Sequence, residues 1–251
     1  MNTTNLRQIS PLAALLALGG TALAGESSTP GERPVEAALR AKAEESARRA
    51  PPDVTEIGKK GIEEVAASGI LQTALNVGGT MKPFTLGDAE GRQVSSAELL
   101  AKGPIVVVFY RGAWCPYCNL YLHAWQRYLP ELAKRKATLV AISGEPPDRT
   151  AQVVQKTGAT FTVLSDPAYR VARQFGVVYE VPAGVAGLMA SHGLDLPKYY
   201  GTGKAELPLS ATYVVGREGK VTYAFLDADY KKRAEPADVL AALDRMPLAA
   251  R

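Results

Sequence analysis

The seven residues Pro104-Ile-Val-Val-Val-Phe-Tyr110 form an unbroken apolar run rich in β-branched side chains, the pattern of a strand buried on both faces. A strand covered on both faces calls for a sheet with helices packed on each side, which excludes an exposed hairpin or a helical bundle. The run leads within a few residues into Trp114-Cys115-Pro116-Tyr117-Cys118, which holds the only two cysteines of the 251-residue chain. Beyond it Cys118, Leu122, Trp125, Leu129 and Leu132 recur at helical spacing, with Pro130 a kink within or between helical segments.

The same alternation continues downstream. Thr138 to Ser143 reads as a strand, Asp148 to Thr157 as a helix, Phe161 to Leu164 as a strand, and Ala168 to Phe175 as a helix ended by Gly176. Thr212 to Val215 and Lys220 to Phe225, joined by Gly216-Arg217-Glu218-Gly219, read as a hairpin, and Pro236 to Met246 as a closing helix. Upstream, Pro83 to Leu86 and Arg92 to Val94 flank a turn, with Ser95 or Ser96 capping a helix through Leu100. The stretch from Pro182 to Pro208, rich in glycine, reads as a long loop near the active face. This order gives an α/β class: a thioredoxin-like sandwich with a central mixed sheet flanked by helices.

Two peripheral helices are expected before that domain, from Pro34 to about Ala50 and from Asp53 to Leu75, broken by Pro51-Pro52 and packed on the main domain by a thin apolar stripe. In the first 24 residues Arg7 is the only charge, an apolar run spans Pro11 to Leu23, and Ala22-Leu23-Ala24 ends it with small residues. This pattern predicts a signal peptide cleaved before Gly25, export to the periplasm, and no stable membrane insertion afterwards, since the run is too short to span and is broken by Gly19-Gly20. The expected organisation is therefore 1–24 signal peptide, 25–76 linker and helical segment, and 77–251 the thioredoxin-like domain. A formal charge of +4 arises from scattered lysines and arginines, and the densest runs, Lys59-Lys60 and Lys231-Lys232-Arg233, are too short for a nucleic-acid tract. They read as solvated surface.

In an oxidising compartment a cysteine pair is ordinarily a structural bridge, but a bridge across two intervening residues constrains almost nothing in the unfolded chain. Zinc is not expected either, because His192 lies far off among glycines and prolines, and no cofactor is implied. Placed where a strand hands over to a helix, the pair meets unpaired amides and the positive end of the macrodipole, which lower a thiol pKa. Pro116 suits an early helical position, and Arg111 adds positive potential. Cys118 belongs to the inward row, whereas Cys115, ahead of the helix, is expected to be more exposed. Two chemistries fit: a dithiol oxidoreductase in which Cys115 attacks and Cys118 resolves, or a peroxidase in which one thiolate becomes a sulfenic acid and the other sulfur condenses with it. Trp114 and Tyr117 would shape access to the sulfurs, and His123 reads as a satisfied histidine.

The run Phe109-Tyr-Arg-Gly-Ala-Trp-Cys-Pro-Tyr-Cys-Asn119, then Leu164-Ser-Asp-Pro, Phe175-Gly-Val177, and Ala211-Thr-Tyr-Val-Val with Gly219-Lys220, resembles the AhpC/TSA branch of the peroxiredoxins, over roughly Val77 to Leu243. The resemblance implies a thioredoxin fold, reduction of hydrogen peroxide or organic hydroperoxides, and turnover by thioredoxin or another thiol donor. It places the peroxide-attacking cysteine at Cys118, with Cys115 where the family carries a threonine. Read as a thioredoxin site, the same stretch makes Cys115 the nucleophile. The family's arginine ahead of the Ala-Thr strand falls on Ser210, a pocket candidate with Trp114, Pro116 and Tyr117. A thiol–disulfide oxidoreductase of the periplasm and a non-catalytic redox sensor remain the alternatives.

Overall fold

The computed structural model describes residues 33–247, so the expected signal peptide and most of the polar lead after it lie outside the described residues. Proline punctuates the start. Pro34 and Pro52 open helices α1 (Pro34–Arg49) and α2 (Pro52–Ala67), where the missing N–H costs no hydrogen bond, and a short α3 (Ile70–Thr73) follows. A hairpin of β1 (Thr85–Asp88) and β2 (Gln93–Ser95) leads into α4 (Ser96–Lys102). The apolar run becomes β3 (Ile105–Phe109), and the cysteines introduce α5 (Pro116–Trp125). One turn of 3-10 helix separates α5 from α6 (Leu129–Lys134), with Pro130 at the start of the new helix.

The strand and helix alternation then follows the sequence: β4 (Thr138–Ser143), α7 (Pro147–Thr157), β5 (Thr162–Ser165) and α8 (Arg170–Gln174). Next come β6 (Val178–Glu180), α9 (Ala183–Ser191), α10 (Leu196–Tyr200) and β7 (Glu206–Pro208). The chain closes with β8 (Thr212–Val215), β9 (Val221–Phe225) and α11 (Pro236–Arg245).

Seven strands form one mixed sheet in the order β2-β1-β5-β4-β3-β8-β9. Strand β3 runs parallel to β4 and antiparallel to β8, and β4 runs parallel to β5. All five residues of β3 are buried, and they alternate between two cores. Ile105, Val107 and Phe109 join one core, where Phe109 meets Phe175 at 5.0 Å and Tyr213 at 6.2 Å between ring centroids. Val106 and Val108 join the other, with Cys118, Leu122 and Trp125 of α5. The strand does have two covered faces, and the cysteines lie on one of them.

The expected long loop between Pro182 and Pro208 is instead mostly ordered structure, a correction with a local cause. Glycines 184 and 187 suggest a loop, but Ala, Leu and Met dominate Ala183–Ser191 and favour helix. Asp195 then caps α10, its side chain accepting from Lys198 N at 3.1 Å. The segment nonetheless flanks the cysteines. Helix α9 packs on α2, and α1 packs on α5, so the amino-terminal helices lie over the CxxC region.

Candidate active site

The backbone leaves the sheet one residue after β3, once Tyr110 N has donated to Ile142 O at 3.0 Å. Five residues later Cys115 stands at the N-cap of α5, Pro116 occupies its first position, and Cys118 lies in the first turn. The connecting loop is held on three sides. Ala113 N donates to both carboxylate oxygens of Glu145 at 2.9 and 3.0 Å, fixing the loop to the segment after β4. Asn119 Nδ2 donates to Ala113 O at 2.9 Å. Trp114 Nε1 donates to Tyr200 Oη at 3.0 Å, and Tyr200 in turn donates to the Arg111 carbonyl. A Cβ at Gly112 would come within 2.9 Å of Trp114, Tyr200 and Glu145 side-chain atoms, so only glycine fits this crossing.

Both thiols are buried, Cys115 at 1% and Cys118 at 0% exposure. The expectation of an exposed Cys115 is corrected by packing that local spacing does not reveal, because α1, α2 and α9 come from distant sequence to cover the helix start. Cys118 Sγ accepts from Arg111 N at 3.4 Å and from Arg233 Nη2 at 3.3 Å. Burial alone would push the Cys118 thiol up. The Cys115 thiol, the Arg233 and Arg111 guanidiniums and the Arg111 amide outweigh it and hold Cys118 well below the usual thiol range. For Cys115 burial acts unopposed in sign by its neighbour: desolvation and the adjacent Cys118 sulfur raise it well above that range. The site thus separates one thiolate from one retained proton.

Arg233 overturns the expectation that Lys231-Lys232-Arg233 is a solvated run. Lys231 and Lys232 do pair with Asp229 and Asp227, but Arg233 is 4% exposed, its Nη1 donating to the Tyr230 and Lys232 carbonyls. Nothing in a three-residue basic run marks its last member as buried, since its sulfur partner is 115 residues away. Glu145 was also missed. Its only sequence mark is a lone acid directly after an apolar strand, in Ser143-Gly144-Glu145-Pro146.

Arg111 is 5% exposed, its guanidinium lying 4.8 Å from the Trp114 ring centroid and 4.1 Å from that of Tyr230. It lines a cavity of about 310 Å³ together with Trp114, Cys115, Pro116 and Tyr117. Tyr117 is buried, donates to Ser46 Oγ of α1 at 3.3 Å and meets Tyr230 edge to face at 5.6 Å. Pro116 is exposed. Ser210, the remaining candidate, is buried just ahead of β8, its Oγ has no hydrogen-bond partner among the described residues, and it does not line this cavity. His123 is exposed, with Nδ1 at 3.0 Å from Thr157 O, a surface histidine whose ring is satisfied away from the sulfurs. Among the described residues no cluster of potential metal ligands occurs, and no helix is long and apolar enough to cross a membrane.

Comparison with known proteins adds a family to this geometry. The AhpC/TSA family model matches residues 77–224, more than half of the chain. Chloroplastic peroxiredoxin Q of Triticum aestivum is 26% identical over 177 residues, covering 70% of this chain and 71% of its own length. That of Sedum lineare is 36% identical over 100 residues, 40% of this chain and 53% of its own. Peroxiredoxin Bcp of Escherichia coli K12 is 30% identical over 103 residues, 41% of this chain and 65% of its own. The matches to the Sedum and Escherichia proteins thus span about half to two thirds of those relatives. Peroxidoxin BcpB of Mycobacterium tuberculosis shares the fold, with a TM-score of 0.55 at 24% identity over 69% of this chain and 99% of that one.

Proposed function

The chain belongs to the AhpC/TSA family, and from that premise we propose that it is a thiol-dependent peroxidase in which Cys118 is the attacking sulfur and Cys115 the resolving one. The observation that carries the assignment is the Arg233 guanidinium 3.3 Å from Cys118 Sγ, a sulfur that also accepts from Arg111 N at 3.4 Å. The Cys118 thiolate attacks one peroxide oxygen, the S–O bond forming as the O–O bond breaks. The departing oxygen takes the Cys115 proton and leaves as water or alcohol. The Cys115 thiolate then displaces hydroxide from the Cys118 sulfenic acid, closing the disulfide, and the hydroxide is protonated by solvent. Arg111 raises the positive potential at both sulfurs, while Trp114, Pro116 and Tyr117 frame the approach.

A thiol donor of the thioredoxin type reopens the disulfide. The rival thiol–disulfide oxidoreductase needs an accessible Cys115 thiolate, and a 1%-exposed, protonated Cys115 gives that reading no support. The catalytic unit in this proposal is the 77–251 domain, with 25–76 an accessory segment, and residues 1–24 export the protein to the periplasm. Mass spectrometry after brief hydrogen peroxide exposure tests the assignment. Cys115→Ser should accumulate sulfenic acid on Cys118, and Cys118→Ser should stay unmodified. Oxidation of Cys115 in the Cys118→Ser protein at the wild-type rate would reverse the roles, and no peroxide consumption by the wild type with any dithiol would end the reading.

A further inference from the structure

Two buried guanidiniums, Arg111 and Arg233, stand beside the two sulfurs. Arg233 is matched with Cys118 at 3.3 Å, and neither Arg233 nor Arg111 forms an ion pair with a carboxylate among the described residues. Glu145, the buried acid that holds the loop after β3, accepts from Ala113 N and from Tyr199 Oη at 2.7 Å. Arg111 is 95% buried, its Nε has no hydrogen-bond partner among the described residues, and its flat faces are covered by Trp114 and Tyr230. Aromatic faces compensate a guanidinium only in part, and the hydrogen bond Arg111 shares with the Tyr230 side chain is to a neutral group, so no carboxylate matches its charge at the cavity it lines.

That cavity has two kinds of lining. Around Arg111 and Cys115 stand the rings of Tyr179 and Tyr230, while α2 and α9 supply Ile62, Val185, Leu188 and Met189. Such a cavity suits an anion that forms within one or two bonds of the reacting oxygen, with an apolar body beyond it.

We propose that this cavity accepts a peroxycarboxylic acid with an aliphatic or aryl body, its carboxylate leaving group being received by Arg111. The proposal rests on the peroxidase reading and names the substrate class of that same site. The Cys118 thiolate attacks the terminal peroxide oxygen, the S–O bond forms, the O–O bond breaks, and its electron pair leaves on the carboxylate. That leaving group needs no proton. Cys115 keeps its own until it condenses with the sulfenic acid, and the proton departs in the water released. An alkyl hydroperoxide yields a neutral alcohol and leaves Arg111 uncompensated. A hydroperoxide on a long chain ending in carboxylate would put the anion among the valines and leucines instead.

Two measurements on the full chain test this. Octanoate, the unreactive product, should bind the reduced protein about tenfold more tightly than octanol by calorimetry, the margin expected of a charge-assisted hydrogen bond, and Arg111→Gln should erase the difference. Single-turnover oxidation by peroctanoic acid should exceed that by octyl hydroperoxide by about tenfold after each rate is divided by its rate with free dithiothreitol. Equal octanoate and octanol affinities, or equal normalised rates, would overturn the proposal while leaving hydrogen peroxide reduction intact. Octanoate preference without any peroxide reduction would instead overturn the peroxidase reading, and the binding arm uses the wild-type protein, so it stands whether or not the variant folds.

Discussion

The segment matched by the family and the segments flanking it contribute different things to one site. Residues 77–224 bring both cysteines, Arg111 and the strand that delivers them. Arg233, which touches Cys118, follows the matched segment, and the part of the cavity wall formed by Val54, Ile62 and Val65 precedes it. The matched part sets which atoms react. The flanks add to how strongly Cys118 is ionised and to what reaches Cys115: Arg233 joins Cys115 and Arg111 in lowering Cys118, and α2 completes the wall around Cys115, so relatives sharing only the matched part need not share the full effect.

The sharpest way to break this comparison is Arg233→Gln, which alters the flank and leaves every matched residue in place. Loss of a charge-assisted bond of about 2 kcal/mol would move Cys118 up by more than one pKa unit, toward the ordinary thiol range near 8.5. The rate of peroxide oxidation should fall by about tenfold or more at neutral pH and recover at alkaline pH, where the thiol ionises unaided. Arg233→Lys should restore part of the loss. The sign also appears in stability: a depressed Cys118 stabilises the fold above its unfolded pKa, and this is lost as pH falls through the folded value. The variant should therefore lose stability at alkaline and neutral pH and little in acid. Thiolate absorbance against pH measures the shift, and an unchanged titration would return all control of Cys118 to the matched segment.

A smaller effect is expected where the amino-terminal helices are fastened down. Glu235, 1% exposed, accepts from the first amides of α1, Val35 N at 3.3 Å and Glu36 N at 2.9 Å. One flank thus caps the other. Glu235→Ala leaves those amides unpaired and should cost about 1–2 kcal/mol in urea unfolding. Because α1 packs on α5, Cys115 should also alkylate faster. Lost stability with unaltered alkylation would mean that α1 does not control access.

The comparison also explains what was legible in the sequence. Strand β3, the helix that follows and the parallel order of β3, β4 and β5 were readable because each rests on a local period: an unbroken apolar run, or apolar residues at helical spacing. The location of the thiols at a helix start followed from the same run. What escaped depended on residues far apart. Arg233 looks solvated until the fold brings it to Cys118, Cys115 looks exposed until α1, α2 and α9 are placed, and α9 looks like loop because its glycines are counted without its alanines. Which sulfur is ionised also rested on those distant neighbours. Both lie within one helical start, and the Arg233 guanidinium, the Arg111 amide and the Cys115 thiol distinguish them.

The finest distinction is whether α1 contributes chemistry or only cover, and Tyr117 decides it. Its hydroxyl reaches Ser46 of α1 at 3.3 Å, while its ring meets Tyr230, which in turn stacks on Arg111 at 4.1 Å. Tyr117→Phe removes the hydroxyl and keeps the ring. If α1 is cover, stability should fall by no more than about 1 kcal/mol, as for one long neutral hydrogen bond, and the Cys118 titration should not move. A shift in that titration would show that the Ser46 contact sets the Tyr117–Tyr230–Arg111 stack, and would carry control of the thiolate from the carboxy-terminal flank to the amino-terminal one.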